Sequence, residues 1–337
     1  MGKVKKQHYV PQRYLRAFAT RKNENKPYKF FVFDKELNEA RSGNVTDYAS
    51  ERYFYDVDFE KIKQDILRDK PDFEFDPEIE KILQEIDPQH MEHFFADKIE
   101  SYLFDAVANI IAKYTMTNTN KLLEVEVFGE DDIPKISLYL TYQLVRSKEF
   151  RQFMTEQLER VPLLFMKKMT KSKSMKKFLE HVKVELADEN QKKLYHAQFL
   201  LDPDFINEQA LILCSKIWIV GINTTKQPFY TSDNPVVKYG HLEHSGLASK
   251  GIEIAFPITP KLILILRDPE MFSGESLAHN HFHFISDEEN VIYYNSLQVQ
   301  QSYRNVFSKE ENFDLAKEIV KKEPHLRDPK HYRFEMF

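Results

Sequence analysis

The sequence predicts an α+β fold: strand-rich N- and C-terminal parts forming one sheet unit, with a large helical middle section at about residues 59–215. Three observations carry this prediction. The apolar period changes from two to about 3.6 near Phe59 and changes back beyond Cys214. Strands therefore precede and follow a block of helices instead of alternating with them, which suits α+β better than βαβ units. With 42% apolar residues and 27 phenylalanines, the 337-residue chain has ample material for a core. No internal repeat or low-complexity linker divides it, so residues 1–337 read as one compact unit.

The elements follow in order. Lys29 to Asp34 reads as a strand and Ser42-Gly43-Asn44 as a polar turn, with Val45 to Tyr55 extended or mixed. Pro71, Pro77 and Pro88 punctuate the start of the helical section. Met91 to Tyr114 repeats Phe95, Ile99, Leu103, Val107 and Ile110 at helical spacing, and Ile133 to Met154 does the same through Ile136, Leu140 and Leu144. Leu158 to His196 is amphipathic and rich in lysine. Strands are predicted at Ile217–Ile222, Pro228–Thr231, Ile252–Phe256, Leu262–Leu266, Phe282–Ile285 and Val291–Tyr294, and the tail Leu297–Lys322 as helix.

Composition removes several function classes. Eight glycines and no GxGxxG or GxxxxGK[ST] argue against phosphate-cradling loops. The lone Cys214, in an apolar run, makes no internal disulfide or thiolate-rich zinc site and reads as a core thiol. A net charge of −5 argues against a globally basic nucleic-acid binder, while leaving local patches open. Met1 to Lys6 is basic without an apolar stretch behind it, and no apolar run approaches the ~18–20 residues that span a bilayer. A cytoplasmic protein without membrane association is the expectation.

Five motifs stand in order along the chain. They are His8-Tyr9-Val10-Pro11-Gln12-x-Tyr14-Leu15-x-x-Phe18; Ala49-Ser50-Glu51-Arg52-Tyr53-Phe54-Tyr55; Gln143 with Arg146; Trp218 with Thr231-Ser232-Asp233-Asn234-Pro235-Val236; and Phe256-Pro257-Ile258-Thr259-Pro260. Asn295 and the helix from Leu297 follow. In this order the chain resembles the bacterial DUF4238 family, whose biochemical function is not established. The resemblance implies a shared fold and a shared polar site.

The residue chemistry of those motifs suggests roles and leaves structural alternatives beside them. His8 is a proton-transfer group or metal ligand at neutral pH, or a structural histidine, and Gln12 shares its face if a helix starts at Pro11. Gln143 and Arg146 are neighbours on a helical face, suited equally to a phosphate and to an internal ion-pair network. Ser232, Asp233 and Asn234 form either an Asx-turn or part of a site. Asp233 with Glu51 or Glu100 would satisfy Mg²⁺ or another divalent cation, although Glu51 and Glu100 also read as surface acids. His279, His281 and His283 would share one face if extended, as a polar strand face or a metal site. The lysines from Lys167 to Lys177 read as a solvated face or a nucleic-acid contact.

Together these predict a hydrolase, a metal-assisted nuclease with His8 as base, acting on nucleic acid or nucleotide in phage defence or a toxin-like role. His8, Gln12, Gln143, Arg146, Ser232 and Asn234 would be catalytic, and Glu51, Glu100 and Asp233 would hold the metal. A non-enzymatic nucleotide- or peptide-binding module and a structural interaction protein are the rival readings.

Overall fold

The computed structural model describes residues 5–77, 81, 90–186, 188–242 and 244–330. Residues 1–4 and Pro88, both used in the sequence reading, lie outside them. Three sheets and a helical middle make an α+β fold. A two-stranded ribbon pairs β1 (Lys6–His8) antiparallel with β4 (Ser50–Arg52). A four-stranded sheet runs in the order β3-β2-β11-β6, from β2 (Lys29–Asp34), β3 (Glu39–Asn44), β6 (Thr231–Ser232) and β11 (Asn305–Ser308). The predicted sharing of a sheet by the two ends of the chain occurs here, where β11 lies between β2 and β6.

The C-terminal part builds a second sheet by itself, ordered β10-β5-β9-β8-β7. Its strands are β5 (Ile217–Asn223), β7 (Val237–Gly240), β8 (Ile252–Pro257), β9 (Leu262–Arg267) and β10 (His281–Ile285). Only the β10–β5 pair is parallel among the described pairings. Every residue of β5 and β8 is buried, as expected of near-continuous apolar runs covered on both faces. Gly221 is required within β5, because a Cβ there would lie 2.6 Å from Ile285 Cδ1 and 2.8 Å from Ile263 Cγ2.

Between the sheet segments the chain is helical: α1 (Gln12–Leu15), α2 (Phe59–Asp69), α3 (His90–Phe94), α4 (Glu100–Met116), α5 (Asp132–Val145), α6 (Lys148–Met169), α7 (Lys173–Leu179), α8 (Glu189–Leu200) and α9 (Pro203–Cys214). The expected single helix over 91–114 is interrupted by a π-helical turn, Phe95–Ile99, joining α3 to α4. The expected helix over 133–154 is two, because Ser147 leaves helical geometry and its hydroxyl accepts from Phe150 N at 3.0 Å to cap α6.

Five further expectations are corrected. Ser42–Asn44 is not a turn but the end of β3, registered against Lys29–Phe31. Val291–Tyr294 lies in helix α10 (Glu288–Gln301), started by the Asp287 cap, whose side chain accepts from Glu289 N. Its buried Val291, Tyr294 and Gln298 fall three and four residues apart, as on one helical face. Of Pro228–Thr231 only Thr231 is in a strand, and the tail is broken by β11 before α11 (Asp314–Lys322). Cys214 is half-buried, its thiol 3.3 Å from Ser137 Oγ.

Candidate functional site

The opening motif is a short strand and a turn held from two sides. Strand β1 places His8 opposite Ser50 and Gln7 opposite Glu51. Tyr9 N and Val10 N both donate to Ala49 O, and Ala49 and Tyr53 flank β4 with φ of 50° and 54°. Non-glycine residues in that left-handed region are held there against a steric cost. Gln7, fully buried, accepts from Tyr55 N and donates to Asp56 Oδ1 at 2.6 Å. Further on, Tyr14 OH lies 2.7 Å from both Thr231 Oγ1 and Pro257 O. The first, fourth and fifth motifs therefore meet through one phenol.

From the other side, α5 delivers Gln143 and Arg146 to the same carbonyl. Gln143 Nε2 and Arg146 Nε donate to Tyr9 O at 2.9 and 3.1 Å. Gln143 and Arg146 are almost wholly buried, so they clamp the opening segment. Arg146 Nη2 donates to Glu100 Oε1 at 3.1 Å, and the guanidinium lies over the Phe95 ring. Burial opposes its charge, but Tyr55, Glu100 and Tyr139 outweigh that and raise its pKa above the ordinary value. Arg146 Nη1 is buried and has no hydrogen-bond partner among the described residues.

A residue the sequence reading passed over completes this cluster. Glu92 is half-buried; burial, opposed by Arg146 and reinforced by Glu100, pushes its carboxyl up to about 7, while the His8 backbone amide donates to it. Its Oε2 also lacks a hydrogen-bond partner among the described residues. The π-helical turn explains the placement. Eight residues of plain α-helix would set Glu92 and Glu100 about 80° apart around the axis, and the wider turn between them absorbs that offset. The only signal in the sequence was a pair of acids eight apart on an apolar helix.

His8 is half-buried, with Nε2 3.3 Å from Gln12 Nε2. An amide nitrogen only donates, so His8 Nε2 is the acceptor. Burial, then the charge of Lys6, lowers its pKa to about 4. The ring is therefore neutral at physiological pH.

Beyond Tyr9 lies a cavity of about 510 Å³, its walls including Tyr9, Ser50, Lys148, Asp233, Tyr303 and Asn305. Lys148 Nζ donates to Glu51 Oε2 at 2.7 Å and sits over the Tyr303 ring. The second and fourth motifs thus reach the same hollow as Tyr9. None of Gln7, Glu92, Lys148, Tyr303 and Asn305 was a candidate from sequence; their importance comes from contacts made across the fold.

The expected metal trio is not assembled, and this is a correction. Glu51 is engaged by Lys148 and Glu100 by Arg146. Asp233, fully buried, accepts from Tyr303 N, Arg304 N and Asn305 N at 2.8, 3.0 and 2.8 Å, so both of its oxygens are engaged by backbone amides. Ser232 Oγ donates to Gln298 Oε1 and Asn234 Nδ2 to Gln301 O. The Ser232-Asp233-Asn234 bend thus joins β6, α10 and β11 through its side chains. No group of three or more His, Cys, Asp or Glu side chains among the described residues is arranged for a metal ion. The histidine strand follows suit: His279 Nδ1 accepts from Trp218 N, and His281 Nδ1 lies 2.6 Å from His279 O.

An α+β protein with a buried arginine tying its opening segment to a pair of glutamates is the class that fold and site define. A family model described as "Protein of unknown function (DUF4238)" matches residues 6–312, and the chain belongs to that family. No curated protein and no solved structure matches the chain.

Proposed function

We propose that the protein is a hydrolase of phosphoester bonds in a nucleotide or nucleic acid, with His8 as general base and Glu92 as general acid. One observation carries the reading: Arg146 holds one carboxylate, Glu100, while its neighbour Glu92 stays protonated up to about 7, and the His8 imidazole, which feels the charge of the same arginine, is neutral. Two titratable groups pushed in opposite directions in one cluster are the arrangement that acid–base catalysis at neutral pH needs. In the reaction, a water displaces the Gln12 amide from His8 Nε2, loses its proton to that nitrogen and attacks the phosphorus, while the Glu92 proton passes to the departing oxygen. Arg146 Nη1 offers an N–H to the charge that grows on the phosphoryl oxygen. The Tyr9 and Tyr303 rings and Lys148 in the adjoining cavity suit a base and its phosphate.

The test is turnover of bis(p-nitrophenyl) phosphate, single-stranded DNA, RNA and nucleoside triphosphates by the wild type, His8→Ala and Glu92→Gln. The expected rate falls as pH rises through about 7, and that limb disappears in Glu92→Gln. Activity is expected to persist in EDTA; loss restored by Mg²⁺ would replace acid catalysis with a cation held by Glu92 and Glu100. Nucleotide-induced thermal stabilisation without turnover of any substrate would sink the enzyme reading and leave a binding module.

A further inference from the structure

Helix α6 is anchored at its beginning, where Arg151, Met154, Thr155 and Glu156 are buried. Its second half and α7 carry an apolar face that nothing among the described residues covers. Leu158, Val161, Phe165 and Met169 fall at intervals of three, four and four, one face of a helix. Phe165 is 64% exposed and Met169 68%, and α7 adds Phe178 at 62%. Large apolar side chains clustered in water mark an interaction surface. Residues 160–179 also contain Arg160 and six lysines, with no aspartate or glutamate, in a chain whose net charge is −5.

We propose that this face docks on an anionic lipid surface. A second copy of the same face would set six lysines against six, Arg160 being paired with Glu156. A nucleic-acid duplex would satisfy the lysines and leave Phe165 and Phe178 in water, and a single strand stacked on those two rings would still leave Leu158, Val161 and Met169 uncovered. A lipid interface takes both: anionic headgroups meet the ammonium groups, the apolar side chains enter the acyl boundary, and the lysine stems lie along it. No helix among the described residues is long and apolar enough to cross a membrane, so the association is peripheral. The inference stands apart from the hydrolase reading.

Sedimentation of the full-length protein with vesicles tests it, using phosphatidylcholine alone or mixed with phosphatidylglycerol. The expected result is binding to the mixed vesicles only, released by high salt. Phe165→Ser with Phe178→Ser should weaken binding by about tenfold, as should Lys167→Gln, Lys168→Gln and Lys171→Gln together. Because these side chains are exposed or at the surface, unchanged thermal midpoints would show the variants folded. Failure of the wild type to sediment with mixed vesicles would overturn the proposal. So would binding that ignores the phenylalanines, or an oligonucleotide captured through the lysines alone.

Discussion

At the residue scale, the raised pKa of Glu92 has a thermodynamic signature. Burial raises its pKa from 4.5 to about 7, so the folded protein favours the protonated carboxyl more than the unfolded chain does. That preference stabilises the fold fully below 4.5 and is lost as pH rises to about 7, because over that window the native state holds the proton the unfolded chain has released. Glutamine keeps the shape and has no proton to lose. Glu92→Gln should therefore gain on the wild type as pH rises from about 4.5 to 7, and the gap should level off above. Thermal midpoints of the two proteins across that range check this; a gap independent of pH would mean that Glu92 is not held protonated.

At the element scale, the π-helical turn Phe95–Ile99 sets the phase between α3 and α4. Phe95 and Ile99 are buried while Ala96 is exposed, so the extra residue is absorbed on the solvent side. Deleting Ala96 should let the segment close into regular α-helix with Glu92 and Glu100 seven residues apart, about 20° around the axis, so the two acids stay in phase. On the proposed mechanism the variant is expected to fold, with unchanged helical circular dichroism, and to keep the alkaline limb of the pH–rate profile. Loss of that limb would show that the phase set by the turn is not what positions the acid. The two-helix break at Ser147 acts similarly, since it ends α5 where Arg146 can turn toward Glu100.

At the scale of the whole molecule, the chain closes on itself through β11. Phe307 is fully buried and packs its ring 4.6 Å from Phe30 and 5.8 Å from Tyr48, joining residues from both ends of the sequence. Arg304 Nε and Nη2 reach Asp34 across the same seam, at 2.9 and 2.8 Å. Phe307→Ala should cost about 3–5 kcal/mol, lowering the denaturation midpoint and widening the cavity walled by Tyr303 and Asn305. Denaturant unfolding measures the first effect. A loss below 1 kcal/mol would mean the seam is not what holds the two ends together.

Much of the architecture was legible because it rests on local periodicity. Strands β2, β5, β8, β9 and β10 alternate or run apolar, and the helices of the middle section keep their 3.6 period. The pairing of Gln143 with Arg146 followed from their spacing, as did the family from the order of its motifs. The polar strand β3 has no apolar face to announce it, and its pairing with β2 is what makes it a strand. Strand β11 is four residues long and exists because β2 and β6 flank it. By itself, then, the sequence determined the α+β class, the family and the polar segments. Only the tertiary structure decided which of those segments are hydrogen-bonded into the fold, and that Glu92, outside all of them, joins their cluster. Asp233 accepts from backbone amides through both oxygens, and Glu92 is half-buried beside a buried arginine. Desolvation and hydrogen-bond occupancy are set by neighbours distant in the chain, and no local pattern of residues records them.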